Sequence, residues 1–287
     1  MPHGIDRDTP TLSWRIIPPE ARWAAMVLSL MVLVALCAPW IAPYPPSAQL
    51  DIRHLSEHGP SWSHLFGTDS YSRDVFSRAV YGARVSLSVA GVATFIMMTI
   101  GTAVGAVAGY SRAWIDAVLM RMVDAFMAIP RVLLLIVIVA LWPELPVWAL
   151  IVVIGLTGWF NLSRIVRGQV LALRTEEYVV AAESLGARRL RILWRHILPN
   201  VWPTILAAAS LELGAVIVIE AGLSYLGLGV RPPAASWGNL IYDGAGAVQR
   251  LWWLSVFPGV LIALTAVSAS VIGDALRERI DPRTVVS

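Results

Sequence analysis

The sequence predicts an all-α membrane protein, a polytopic helical bundle of six transmembrane helices. Three observations predict it. Of 287 residues, 57% are hydrophobic and only 14% are charged. The mean hydropathy is +0.68, whereas a soluble domain of this length needs far more charge to cover its surface. Apolar runs of membrane-spanning length alternate with short polar segments, and those segments hold the arginines. All 22 basic residues are arginine. Without lysine, a phosphate-binding GxxxxGK[ST] loop cannot exist, so any ATP-driven work must be powered by another subunit. Arginine confined to a few loops points to membrane topology and away from nucleic acid.

Each element follows from a bilayer core about 30 Å thick, which takes about 20 residues at 1.5 Å rise. Residues 1–22 form an N-terminal segment, and Trp23–Ala42 is the first span. It is too long and uninterrupted for a signal-peptide core, and Val34-Ala35-Leu36 ahead of Cys37 makes a poor lipoprotein cleavage site. Cys37 is the only cysteine, which excludes an intrachain disulfide and reads as a small packed thiol. Residues 43–84 form a polar segment. Its His54 and His58 have i, i+4 spacing, but Gly59 and Pro60 follow; with His64 they read as solvated loop histidines, and no metal or cofactor is assigned. Residues 85–287 hold the remaining five spans, beginning with Val85–Gly109. There Gly101, Gly105 and Gly109 recur every four residues and make a smooth face for close helix packing inside the protein. Ile115, Val118, Leu119, Met122, Val123 and Phe126 then follow helical spacing, with Asp116, Arg121 and Asp124 off the stripe. This predicts an amphipathic surface helix, ended or kinked near Pro130. The last four spans are Phe126–Trp142, Val147–Val166, Val201–Ala221 and Trp253–Ile272.

Arginine placement orients the bundle. Residues 158–200 carry seven arginines against three acids, whereas residues 43–84 are balanced at four against four. The positive-inside rule puts the first stretch in the cytoplasm and the second outside, with both termini cytoplasmic; Arg15 and Arg22 agree. Trp40, Trp142, Trp148, Trp252 and Trp253 then mark the outer interface, and Trp23, Trp159 and Trp202 the inner one.

The charged insert Arg174–Asn200 stands out among these spans. Thr175 is expected to cap a helix whose first turn holds Glu176 and Glu177, which suit the positive end of the dipole. Tyr178, Ala181, Ala182 and Leu185 give that helix a narrow apolar face. Gly186 stands where a left-handed turn would end it, and a second helix is expected from Ala187 through Arg188 toward Pro199. The residues alone leave two readings: a loop whose arginines hold topology and meet anionic headgroups, or a grip for a second protein.

Resemblance favours the grip. Ala181-Ala182, three residues, Gly186, then Leu198-Pro199 resembles the EAA loop by which ABC importer permeases dock into their ATPase subunits. Val180 stands for the motif's glutamate and His196 for its isoleucine, and Glu183 lies beside the alanines. Gly67-Thr68-Asp69 with Arg73-Asp74-Val75-Phe76-Ser77-Arg78, then Gly82-Ala83-Arg84-Val85-Ser86-Leu87, resembles the GTDxxGRDxxSR…GARxSL block of the dipeptide/oligopeptide/nickel permease family, with Ser72 in place of a glycine. Met120-Arg121, Asp124 and Pro130 resemble its MRxxDxxxxxP element. Residues 220–238, EAGLSYLGLGVRPPAASWG, are similar to its EAxLSFLGLGxxPPxPSWG block, and Gly273–Arg283 to its GDxLRDxLDPR ending. The first 60 residues add little.

The resemblance implies a type I ABC importer permease subunit in a bacterial inner membrane, not an enzyme. It implies peptides or a related small solute, such as nickel, as cargo. The implied partners are a second homologous permease, two ATPase subunits and an external solute-binding protein, besides membrane lipids. Tyr178, Ala181, Ala182, Glu183, Gly186 and Arg188 become the coupling residues, with residues 43–84 and 227–250 as docking surfaces for the binding protein. Glu212 and Glu220, acids within the fifth span, are candidates for the translocation path; buried structural hydrogen bonding is the other reading. Neither reads as a proton relay. An ABC-linked exporter and a stand-alone secondary transporter or channel are the competing functions.

Overall fold

The computed structural model describes residues 18–142 and 144–280. Arg15 and the Asp281-Pro282-Arg283 end of the last motif lie outside the described residues. Those described are almost entirely helical; their only β feature outside a named strand is an isolated bridge, Thr68 to Asp74. Lipid offers the backbone no hydrogen-bond partners, so the apolar runs satisfy their own polar groups as helices.

Five helical segments are long and apolar enough to cross a membrane, or six with one bent pair. Helix α1 (Pro19–Leu36) begins four residues before the expected span and stops short of Ala42. Pro39 cannot donate to the helical ladder and its ring crowds the carbonyl of Ala35, so a separate turn, α2 (Ala38–Ile41), completes the run. After the short α3 (Ile52–Leu55), helix α4 (Val75–Tyr110) begins ten residues earlier than expected. Its 36 residues reach about 54 Å, so its first turns project well past a bilayer core. The side chain of Asp74 caps it by accepting from the Ser77 N–H at 2.7 Å.

The break expected near Pro130 is present, and it falls inside the expected third span. Helices α5 (Ala113–Met127) and α6 (Arg131–Leu141) meet at 74° across Pro130, so Phe126–Trp142 is not one straight helix. Of the predicted stripe on α5, Val123 is buried while Val118, Met122 and Phe126 are exposed. The flanking acids hold α5 in place, Asp116 on Arg167 and Asp124 on Arg164. The fourth span divides into α7 (Val147–Leu156) and α8 (Trp159–Leu173) at Thr157, whose hydroxyl donates to the carbonyls of Val153 and Ile154.

Beyond α9 (Glu177–Ser184), helix α10 (Arg189–Ile192) runs through a π turn, Leu193–Ile197, into α11 (Leu198–Tyr225). Helices α12 (Trp237–Gly244) and α13 (Trp253–Ile280) complete the described chain. Helices α4 and α11 are central: α4 packs along α8, α7 and α11, and α11 packs along α13. The glycine stripe is the α4–α8 seam. A Cβ at Gly101 would stand 2.9 Å from the Trp159 carbonyl, and one at Gly109 2.9 Å from Val170 Cβ. The main core joins Met97, Leu135, Ile154 and Ile217 from four helices. A second cluster lies at the end carrying α9 and α10, a third at the end carrying α12.

Candidate coupling hairpin and translocation path

The insert folds as a helical hairpin, with a different start from the one expected. Glu176, not Thr175, occupies the N-cap position of α9; the Thr175 hydroxyl instead donates 2.8 Å to the Ala172 carbonyl and closes the end of α8. Gly186 has φ +80, the left-handed conformation expected of it. The Ala187 N–H donates to Ala182 O at 3.1 Å and the Gly186 N–H to Glu183 O at 2.9 Å. Those two bonds are a Schellman closure, accompanied by contact of Ala182 and Ala187 with the same core cluster. The second helix starts at Arg189, with Arg188 as its N-cap.

The hairpin leans on the bundle through Val179, Ile192 and Ile197, all buried against Val166 and Val170 of α8. Ala182 of the expected apolar face turns partly inward, while Tyr178, Ala181, Glu183, Gly186 and Arg188 stay exposed. Leu185 is 89% exposed. Val180 is open as well, and Glu183 follows it by one turn, so the two share an exposed side. Tyr178 is steadied by Asn200, whose amide lies 3.4 Å from its hydroxyl. Desolvation first, then the charge of Glu176, pushes that hydroxyl above its ordinary pKa. The π turn follows from Pro199, which lacks an N–H and crowds the carbonyl of Arg195. Through it α10 and α11 form one bent rod.

Glu212 and Glu220 sit on that rod in opposite environments. Glu220 is fully buried: the Ser86 hydroxyl donates to Oε2 at 2.9 Å and the Ser224 hydroxyl to Oε1 at 2.8 Å. Ser86 accepts the Trp237 N–H at 3.2 Å, and Ser224 the Val230 N–H at 3.0 Å. Of the two sequence readings for Glu220, this geometry matches structural hydrogen bonding. It also accounts for much of the 220–238 block, which closes α11 back onto α4 and ends in a Ser236–Asn239 capping box. Glu212 instead borders a cavity of about 240 Å³ that includes Asn161, Phe126 and Phe160. Arg131 reaches across to it at 3.3 Å and also donates to the Ile154 carbonyl at 3.1 Å. Sequence reasoning passed over Arg131. The signal was present: an arginine heading an apolar run is a functional candidate by its cost alone.

At the opposite end, the polar segment folds into a cap. Asp69 accepts from Arg73 and Arg78, both at 2.6 Å, and Asp243 of α12 accepts from the same two at 3.0 and 2.7 Å. Arg250 pairs with Glu57 at 2.9 Å. Segments 43–84 and 227–250 therefore form one welded surface. Trp253 is inside it, 6% exposed and donating to the Thr68 carbonyl at 3.1 Å, and so is not the interfacial anchor expected. Ser72 has φ +57, the left-handed conformation that a glycine would adopt without cost.

The three histidines go separate ways. His54 pairs with Asp51 at 2.9 Å, a bond that, ahead of the Arg53 N–H, holds the Asp51 carboxyl below its usual pKa. His58 contacts the Gly59 carbonyl, and His64 is not a solvated loop histidine but is buried, 2.9 Å from Asp74. No group of three or more His, Cys, Asp or Glu poised to hold a metal ion occurs among the described residues.

Comparisons with known proteins agree with this layout. Residues 101–286 match the family described as binding-protein-dependent transport system inner membrane component. Residues 20–60, where the sequence offered little, match the N-terminal TM domain of oligopeptide transport permease C. The chain is 38% identical over 258 residues to the oligopeptide transport system permease protein OppC of Bacillus subtilis, covering 90% of this chain and 84% of that protein. It is 38% identical over 261 residues to the dipeptide transport system permease protein DppC of the same organism, covering 90% and 80%. A putative peptide transport system permease protein of Brucella suis is 41% identical over 271 residues, covering 92% and 88%. The fold resembles a chain of the inward-facing MetNI methionine ABC transporter, with TM-score 0.57 and 21% identity over 70% of this chain and 97% of that one.

Proposed function

The chain belongs to the family of binding-protein-dependent transport system inner membrane components, and from that premise we propose that it is the C-type permease subunit of an ABC importer that moves peptides across a bacterial inner membrane. Relatives named for oligopeptide and dipeptide transport support the cargo class. The hairpin end faces the cytoplasm in this reading, and the cap receives an external solute-binding protein. The pairing of segments 43–84 and 227–250 supports a single docking surface there.

One observation carries the mechanism: the exposed hairpin continues into α11 without a break in the helical path. ATPase subunits closing on Tyr178–Arg188 push on α9, and α10 passes that displacement along α11. Glu212 moves with α11 while Arg131 stays with α6, so the push acts on the ion pair beside the cavity. Separating and reforming that pair lets the path alternate between its two faces. No step makes or breaks a covalent bond in this chain.

Affinity purification of the tagged protein from its native membranes tests the assembly. A homologous permease and ATPase chains carrying Walker motifs are expected to co-purify, with ATP hydrolysis absent from the isolated chain. Recovery of the chain alone, with ion-coupled or passive flux after reconstitution, would instead indicate a secondary transporter or channel. Mass spectrometry of ligand bound to the cognate binding protein identifies the cargo; uptake of it into vesicles, against release, separates importer from exporter.

A further inference from the structure

Two cavities adjoin beside the inner end of α4. One, of about 660 Å³, runs along α4 toward Phe95 and Trp202. The other, of about 470 Å³, opens where α4 ends and α10 begins. Ala106, Val107, Leu190 and Leu193 line both, so they are two halves of one furrow. The first half is apolar, whereas Arg112 and Arg189 border the second. Neither arginine's guanidinium group has a hydrogen-bond or ion-pair partner among the described residues. Two polar atoms on the furrow's wall are buried and unpartnered, Thr102 Oγ1 in the first half and the Tyr110 hydroxyl in the second. Arg189 and Arg174 lie near that hydroxyl, as does Glu183, the charge it feels most.

We propose that this furrow is a binding site for one anionic phospholipid of the inner leaflet, its acyl chain lying along α4 and its phosphate meeting Arg112, Arg189 and Tyr110. The chemistry at the two ends selects this occupant. A long apolar trough fits hydrocarbon, and two arginines at its mouth fit a phosphate in charge-assisted bonds. An apolar helix from a partner would cover the trough but leave the two arginines and the tyrosine hydroxyl unsatisfied. Trp194 and Trp202 border the trough where ring systems favour the headgroup region. Because Arg189, Leu190 and Leu193 belong to the moving rod, a lipid seated here braces the hairpin against α4. The site thereby makes coupling sensitive to the surrounding membrane. The choice of leaflet rests on the orientation proposed above; binding itself does not.

The test uses the intact transporter, purified with its partners into nanodiscs of phosphatidylcholine with or without phosphatidylglycerol. A photocrosslinking amino acid in place of Leu190 is expected to capture phosphatidylglycerol; capture of the second permease instead overturns the proposal. In the Arg112→Gln/Arg189→Gln variant, phosphatidylglycerol retained through purification is expected to bind about 30-fold more weakly. An independent variant, Ala103→Phe, fills the apolar half without touching a charge and is expected to abolish the same crosslink. Unchanged retention and crosslinking in both variants would sink the idea, whether or not the assembly transports peptides.

Discussion

Ser72 shows how one residue's chemistry can be read through its backbone. It is buried with φ +57, and its hydroxyl donates to the Asp51 carbonyl at 3.1 Å. Left-handed backbone costs a non-glycine residue about 1 kcal/mol, and the hydrogen bond returns a similar amount. Ser72→Gly is therefore expected to leave the thermal midpoint of the purified complex nearly unchanged, while Ser72→Ala keeps the strain, loses the bond and lowers stability by about 1 kcal/mol. A clear loss with glycine would contradict this balance. The Arg131–Glu212 pair makes a sharper case. Arg131→Met leaves a carboxylate facing the cavity without its partner, at a cost of about 2 kcal/mol given its partial exposure. Adding Glu212→Leu is expected to restore thermal stability but not uptake, since the pair that responds to α11 is gone. Recovery of uptake in the double variant would mean that the pair is only structural.

At the scale of elements, the turn at Gly186 separates backbone demand from space. A Cβ there meets nothing within 4 Å, so substitution is opposed only by φ +80. Asparagine tolerates that conformation and β-branched residues do not. Gly186→Asn is expected to retain most uptake, and Gly186→Val to abolish it with normal amounts of protein in the membrane. Full uptake by Gly186→Val would remove the hairpin from the coupling path. The α4–α8 seam poses the opposite problem, lack of room. Gly109→Leu has no space against Val170, and is expected to pry the helices apart and reduce the folded protein recovered from membranes. Normal recovery would mean that the seam yields more readily than its spacing suggests.

Over the whole molecule, the cap and the hairpin lie at opposite ends of the same two helices, α4 and α11 with its extension. The cap is held by two arginines shared between Asp69 and Asp243. Asp243→Ala leaves both on one carboxylate, at a cost of about 3 kcal/mol. Faster hydrogen exchange is expected in residues 51–78, together with loss of ATPase stimulation by the binding protein. Unaltered exchange would show that Asp243 does not hold the cap.

The sequence by itself determined the class of protein, the approximate spans, the hairpin with its glycine turn and the internal use of the glycine stripe. These depend on local signals: apolar length, arginine placement, the single residue type that suits a left-handed turn, and helical spacing. It placed a break near Pro130 but not its angle of 74°, and it did not determine that Trp253 is buried or that α10 and α11 are one rod. The different fates of Glu212 and Glu220, eight residues apart on that rod, were equally out of reach. Each depends on partners far along the chain: Ser86 lies 134 residues from Glu220, and Arg131 81 residues from Glu212. Local sequence states that an acid in a membrane must be compensated; only tertiary packing decides whether serines bury it or an arginine meets it at a cavity wall.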